Sequence, residues 1–590
     1  MNYKGSTAIL YDKKDVKSFL KKNIKVKFFY PLTPSALSEL INRNIENIIS
    51  HENVLSENVQ KKIIFNTNLY EKKFENYLNE LNLDDVIIES VKNIFHIIIT
   101  SSQFLYYSIN NQGPWIILSN GKYELYNEKD VVFKNLFENI KSKKIDFFNI
   151  DSKKNSNFLI KYINFILNYL IFKLVNKKKI IWVTGLSYNF PFIIKSISQK
   201  NNKIFFLNYS SSNFSILKNL KTIYKIIFLK NKIIDISPDL NLEENTKFNR
   251  IQNINLILDT NFFQLISCEI ENFLNSYILK NLSILNYTKK IVKLHQPKLL
   301  IAHHIRWMES ISLASVFKKN NIPVFLISHG SHNLFRDEFS KNEIISNAKG
   351  LLGSNFANYI FTQTPESFEL ANKLYPRVKK IKTYPLMWAS KNNLKKNIKK
   401  NDTFIKLLHA STPKLLGIRP WIYENSNEYV NNLKTLIKSI RKISNTKLVI
   451  RARENNELNL NDLKNILCID DNDEQVVIKS DGSFIDDLLT SDMLISFSST
   501  TIDESLYNFT PVILYSNSGR FNFLEESKED SKLKVLYNLN AKNIDIRLKN
   551  ILDNHINKKI DNNQFYRYIW SNQVKNFDEF VDLIIDSCNR

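Results

Sequence analysis

The turn Ser498-Ser499-Thr500 carries the clearest chemistry in this chain. It follows the apolar run MLIS, which reads as a buried strand, and it opens the helical run TIDESLYNF. Ligands of open α/β sheets bind beyond the carboxyl ends of strands. The unpaired N–H groups at a helix start suit phosphate, and the hydroxyls of Ser498, Ser499 and Thr500 add donors without bulk. The turn is therefore read as a phosphate contact. Thr501-Ile502-Asp503-Glu504 also fits a capping box, so Glu504 is either part of a cap or a contact to ribose or base. Upstream, KLVIRAR ends in Arg451 and Arg453. Two apart in extended chain, they point to one side. They are expected to clamp a phosphate or sugar carboxylate; the other reading is a pair of solvated charges.

A second group lies at Ser328-His329-Gly330-Ser331-His332, after the strand-like run IPVFLIS. A histidine at a strand end can act as general base near neutral pH, and a glycine there lets the backbone approach a ligand. His329 is the first candidate base. Glu309 is the alternative, with Asp337 and His332 behind it. Gly330, Ser331, Arg306 and Gly185 are expected to line an acceptor cleft. His303-His304 lacks the glutamate and spacing of a zinc motif, and no metal is expected.

These groups need elements to hold them. Strand-like runs alternate with helical patterns almost throughout, which indicates α/β layers with parallel sheets. KLLIAH, IPVFLIS and NYIFTQ read as strands of one half. FIKLLHA, KLVIRAR, DMLISFSS and PVILYS read as strands of another. Between them SKNNLKKNIKKND (390–402) has little to bury and reads as a linker. The expected division is an acceptor domain over 1–389, a linker over 390–403, a nucleotide-sugar donor domain over 404–560 and a helical tail over 561–590. Both domains are expected to be Rossmann-like and to face a cleft.

A chain of 590 residues is too long for one core. A hydrophobic content of 43% excludes a disordered class. The formal charge is 82 − 58 = +24, but the excess is lysine scattered among asparagine and isoleucine. No dense basic stripe with aromatics stands out, so nucleic acid is not an expected partner. With 10 glycines, the chain has no Gly-rich nucleotide loop, which weighs against dehydrogenases and P-loop enzymes. Cys268, Cys468 and Cys588 lie far apart and fit a reducing compartment. The start, MNYKGSTAILYDKKD, lacks the apolar core of a signal peptide. FLIKYINFILNYLIFKLV (158–175) is broken by Lys161, Asn164, Asn168 and Lys173, so it reads as a buried helix. A cytoplasmic location, with peripheral contact at the inner membrane face, is expected.

The pattern over 491–516, a strand after Ser491-Asp492, then Ser498-Ser499-Thr500, a helix and Pro511-Val512 before an apolar strand, resembles a known donor site. It is similar to that of CDP-glycerol glycerophosphotransferases, capsule Kdo transferases and bacterial polysialyltransferases, all GT-B-type transferases. The resemblance spans roughly residues 298–520. In the polysialyltransferase-like groups a Ser-Ser pair and a His-Pro pair hold CMP. Ser498-Ser499 matches the first; in place of the second stands Arg451-Ala452-Arg453-Glu454. His329-Gly330 resembles the His-Gly of the CDP-glycerol enzymes, whose histidine is implicated as base. In GT-B enzymes the loop after the first donor-domain strand borders the donor phosphates, which implies His409, Ser411 and Thr412 here. The resemblance implies an inverting, metal-independent glycosyltransferase. It would use a nucleotide-sugar co-substrate, with CMP or UDP favoured, no other cofactor, and a surface-carbohydrate or lipid-linked acceptor. A nucleotide-sugar epimerase of the same architecture and a non-catalytic nucleotide-binding homologue are the alternatives.

Overall fold

The computed structural model describes residues 3–49, 55–109, 112–142, 179–184, 190–201, 203–209, 233–236, 248–330, 334–386, 404–415, 417–527, 533–542, 544–555, 560–571 and 574–589. The expected linker over 390–403, the apolar run 158–175, and Gly185, Ser331 and His332 lie outside the described residues.

The first 126 residues build a small sheet of their own. β1 (Thr7–Leu10) pairs in parallel with β2 (Phe28–Pro31) and with β3 (Trp115–Ser119). β3 turns back antiparallel into β4 (Lys122–Tyr126). Asn120 and Gly121 make that turn at φ of 49° and 76°, the left-handed pair a two-residue hairpin needs. The region expected as one acceptor domain thus contains a second sheet, one pair of which is antiparallel. Two long helices, Glu57–Glu80 and Asp85–Ser108, sit between β2 and β3 and pack together, with the Phe74 and Phe95 rings stacked at 3.8 Å.

Seven parallel strands form the next sheet: β5 (Lys179–Thr184), β6 (Ile204–Tyr209), β7 (Ile233–Ile236), β8 (Leu299–Ala302), β9 (Val324–Ile327), β10 (Tyr359–Thr362) and β11 (Lys379–Lys382). Their order is β11-β10-β9-β8-β5-β6-β7. Six more form a third sheet: β12 (Ile405–Ala410), β13 (Thr446–Arg451), β14 (Val476–Lys479), β15 (Met493–Ser496), β16 (Val512–Ser516) and β17 (Leu536–Asn540). The order is β14-β13-β12-β15-β16-β17, again all parallel. Parallel strands are covered on both faces, which is why they are continuously apolar: every residue of LLIA, VFLI and MLIS is buried. β10–β11 and β12–β13 belong to different sheets, so the chain changes sheet between Lys382 and Ile405.

Numbered from its own first strand, the seven-stranded sheet has the order 3-2-1-4-5-6-7 and the six-stranded sheet 3-2-1-4-5-6, the doubly wound arrangement. The terminal helix Phe577–Asn589 returns to the first of them. Lys200 pairs with Asp582 at 2.8 Å, and the Phe580 ring packs on Phe361.

Candidate functional site

In a doubly wound sheet the strand order reverses at one point, and the loops there part to leave a crevice. The reversal lies between β5 and β8 in the first large sheet and between β12 and β15 in the second. The loops after β9 and β15 touch. A Cβ on Gly330 would sit 2.5 Å from Thr500 Cγ2, and Asn347 Nδ2 donates to Tyr423 Oη at 3.0 Å across the two domains. The cleft between them is lined by His329, Gly330 and Asn347 on one side. Ser498, Ser499 and Thr500 line the other, beside the aromatic wall of Tyr423, Phe521 and Phe523. Two doubly wound sheets thus meet with their switch points toward one cleft. The architecture is GT-B-like.

Gly330 is the only residue type that fits this approach. Gly330→Ala is expected to push the two domains apart at an overpacking cost of about 1–3 kcal/mol. Small-angle scattering should show a larger radius of gyration and denaturation a lower midpoint; unchanged values of both contradict the tight contact.

No known family's sequence profile matches this chain, and no curated protein matches it. Solved structures overlap with it weakly. The UDP-GlcNAc 2-epimerase from Neisseria meningitidis bound to UDP-GlcNAc is 12% identical, covers 69% of this chain and 99% of its own, and has a TM-score of 0.38. MurG of Acinetobacter baumannii is 9% identical over 69% and 99%, with a TM-score of 0.37. Medicago truncatula UGT71G1 complexed with UDP-glucose is 11% identical over 71% and 100%, with a TM-score of 0.39. Overlaps of this size do not bear on reaction or substrate.

The cleft gathers positive charge. β8 ends at Ala302, and His303–Trp307 form the loop into the helix Met308–Lys319. Ser310 Oγ accepts the N–H groups of Arg306 and Trp307 at 3.1 and 3.2 Å and lies 3.2 Å from His304 Nδ1. Arg306 is buried and donates to the backbone and side-chain oxygens of Asn347 at 3.2 and 3.3 Å, while its Nε has no partner among the described residues. Burial, aided by Arg419, lowers its pKa to about 9.

Lys414 comes from the loop between β12 and the helix Ser426–Ile440. Its N–H bonds Glu424 O at 2.8 Å, and its ammonium lies 4.9 Å over the Tyr423 ring. The loop is strapped to the first half of the molecule. A Cβ on Gly417 (φ 81°) would meet Ser101 Cα at 2.6 Å, Arg419 Nη2 donates to Ser346 Oγ at 3.0 Å, and Trp421 Nε1 donates to Ser340 Oγ at 3.1 Å. Burial, then the charges of Arg453 and Arg306, brings Lys414 down to about 8. Among the described residues neither Lys414 nor Arg453 has a carboxylate partner. His329 falls to about 4 by burial, with His304, Lys414, Arg453 and Arg306 adding to it. His304 falls to about 4 through burial and Arg306, and His303 to about 2 through burial and its two histidine neighbours. Cations held together without counter-charge favour an anion.

The expected site residues divide. Ser498 and Ser499 are buried at the cleft, and Thr500 caps the following helix without a side-chain bond. The expected capping box is not formed: Thr501 Oγ1 turns to Ala410 O at 3.4 Å, and Ser499 Oγ accepts the Thr501 N–H at 3.3 Å. Glu504 is partly buried, and burial raises its carboxyl to about 8. The Arg451–Arg453 clamp also separates. Arg451 pairs with Asp487 at 2.6 Å and donates to the carbonyls of Asp481 and Gly482 at 2.8 and 3.0 Å; Arg453 alone faces the cleft cations.

His409 is not in a loop. It lies within β12, opposite Ile450 and Ile495, with its ring buried 5.7 Å from that of Tyr429. Ser411 gives its hydroxyl to Glu424 at 2.5 Å, and Thr412 is partly buried after the strand. Glu309 has Lys280 and Tyr277 of the helix Ser267–His295 as its charged and polar neighbours rather than the histidines. Asp337 caps the helix Glu338–Ala348, accepting from Ser340 N at 2.7 Å.

Lys414 is the functional candidate that the sequence did not mark. Among 82 lysines and arginines, one lysine in a loop carries no signal of its own. Among the described residues no group of three or more His, Cys, Asp or Glu is placed to hold a metal ion, and no helix is long and apolar enough to cross a membrane.

Proposed function

We propose that this protein is a glycosyltransferase that moves a sugar from a nucleotide-activated donor to a surface-carbohydrate or lipid-linked acceptor. The observation that carries the reading is the cation cluster of Arg306, Lys414 and Arg453 at the facing switch points, in which, among the described residues, neither Lys414 nor Arg453 has a carboxylate partner. The donor phosphates would lie among these three cations and the Ser498 and Ser499 hydroxyls. The nucleobase would lie on the aromatic wall. As the bond from the anomeric carbon to the phosphate oxygen breaks, its electron pair stays on the leaving nucleotide, and the three cations stabilise that charge. His329 takes the proton of the attacking acceptor hydroxyl, whose oxygen forms the new bond in one displacement. That order inverts the anomeric carbon.

The histidine's low pKa suits the role once donor is present. The free imidazole is neutral at pH 7, and a bound phosphate offsets the cations that depress it, so its basicity rises on binding. A thermal-shift screen with CMP, CDP, UDP and GDP tests the reading, since binding to the folded state raises its melting temperature. CMP or UDP is expected to give the largest shift. No shift with any of them contradicts a nucleotide donor. Turnover of a nucleotide sugar with no acceptor present would point instead to an epimerase.

A further inference from the structure

The helix Glu57–Glu80 carries a solvent-facing stripe of Lys62, Phe65, Leu69, Lys72 and Asn76, all exposed. At 100° per residue these five positions fall within an arc of about 80°. Phe65 is 65% exposed and Leu69 43%, one turn apart on the same line. An exposed Leu alone is ordinary, but two large apolar side chains on one basic stripe are not.

The surroundings extend the patch. Tyr70 Oη and Lys73 Nζ bond Asp259 at 3.2 and 2.8 Å, which lays the segment around the 3-10 turn Ile254–Leu256 alongside the helix. Leu256 is 76% exposed there. Lys62 lies over the Tyr107 ring and is an electrostatic neighbour of Lys129, which itself lies over Tyr106. Three of the helix's four carboxylates are paired, Glu57 with Lys61, Glu71 with His96 and Glu75 with Lys92, while the exposed Glu80 stands at its C-terminal end. Lys72 has no carboxylate partner among the described residues.

We propose that this face, centred on Phe65 and Leu69, docks on an anionic lipid bilayer. The apolar side chains enter the interface while Lys62, Lys72 and Lys129 meet the headgroups. The charge pattern selects this occupant, because Lys62, Lys72, Lys73 and Lys129 outnumber Asp130 and Asp259 around the apolar side chains, as an acidic surface requires. A neighbouring face of the same helix puts Lys61 over the rings of Phe339 and Trp421, and the helix Glu338–Ala348 begins there and supplies Ile344 and Asn347 to the cleft. Docking by this face would hold the cleft close to the bilayer.

The test is co-sedimentation of the full chain with phosphatidylcholine vesicles and with vesicles containing phosphatidylglycerol. Wild type is expected to sediment with the anionic vesicles only and to be released by salt. Phe65→Ser with Leu69→Ser is expected to lower binding at least about tenfold, and Lys62→Gln about fivefold, with unchanged circular dichroism. As a second readout, the fluorescence of Phe65→Trp should shift to the blue on adding anionic vesicles. Equal sedimentation of the double serine variant, or no blue shift, overturns the proposal. So does wild type that binds neither vesicle, or binds both alike. Nucleotide binding by the same variants is read separately, so failure here leaves the cleft assignment standing.

Discussion

His329→Ala is expected to lower the single-turnover rate by ~10²–10⁴ while leaving nucleotide affinity nearly unchanged. Uncharged in the empty cleft, the imidazole adds little to ground-state attraction for phosphate. Its contribution comes when the acceptor oxygen gives up a proton in the transition state. The competing view is that the residue only shapes the turn before Gly330, where its N–H bonds Leu351 O at 3.0 Å. In that case activity and melting temperature would fall together. Measuring both on the same variant separates the two, and near-normal turnover at unchanged stability removes His329 from the mechanism.

Lys414→Met should weaken binding of the preferred nucleotide. A charge-assisted contact contributes about 1.5–3 kcal/mol, or roughly 10–150-fold in affinity. The pH dependence has a definite sign. The free ammonium has a pKa of about 8, and a bound phosphate raises it, so binding takes up a proton wherever the free group has begun to lose its own. Affinity is therefore full below pH 8 and declines above it. The neighbouring cations are Arg453 and Arg306; the latter, lowered to about 9, adds a decline of the same sign at higher pH. In Lys414→Met the step near pH 8 should vanish. In Lys414→Arg it should move upward.

The parts of the fold set by periodicity were readable from the sequence. The runs LLIA, VFLI, MLIS and VILYS are apolar at every or nearly every position, which only a strand covered on both faces tolerates, and the structure pairs them in parallel. His329-Gly330 and Ser498-Ser499 follow such strands directly, so their approach across the cleft was legible too. The arginine clamp was not. Alternation puts residues i and i+2 on one side only while the chain stays extended, and β13 ends at Arg451. Arg453 lies past that end, and Asp487, 36 residues away in the chain, holds Arg451. His409 shows the opposite case, because β12 runs on to Ala410 and keeps its ring in the core. Asn120-Gly121 is a hairpin signal that the sequence carries for the antiparallel pair β3–β4. Lys414 and Arg306 come together through Asn347 and Tyr423, whose hydrogen bond joins residues 76 positions apart, which no local pattern encodes.

Isothermal titration of CMP, CDP, UDP and GDP into the wild-type protein and Lys414→Met, at pH 7 and pH 9, tests the cationic cleft most directly. The expected result has three parts. At least one nucleotide binds wild type at pH 7, its affinity is lower at pH 9, and Lys414→Met binds it at least about tenfold more weakly at pH 7. Equal affinity of wild type and variant for every nucleotide at pH 7, or no binding by the folded wild-type chain, would contradict the assignment of the Arg306–Lys414–Arg453 cluster as the donor phosphate site.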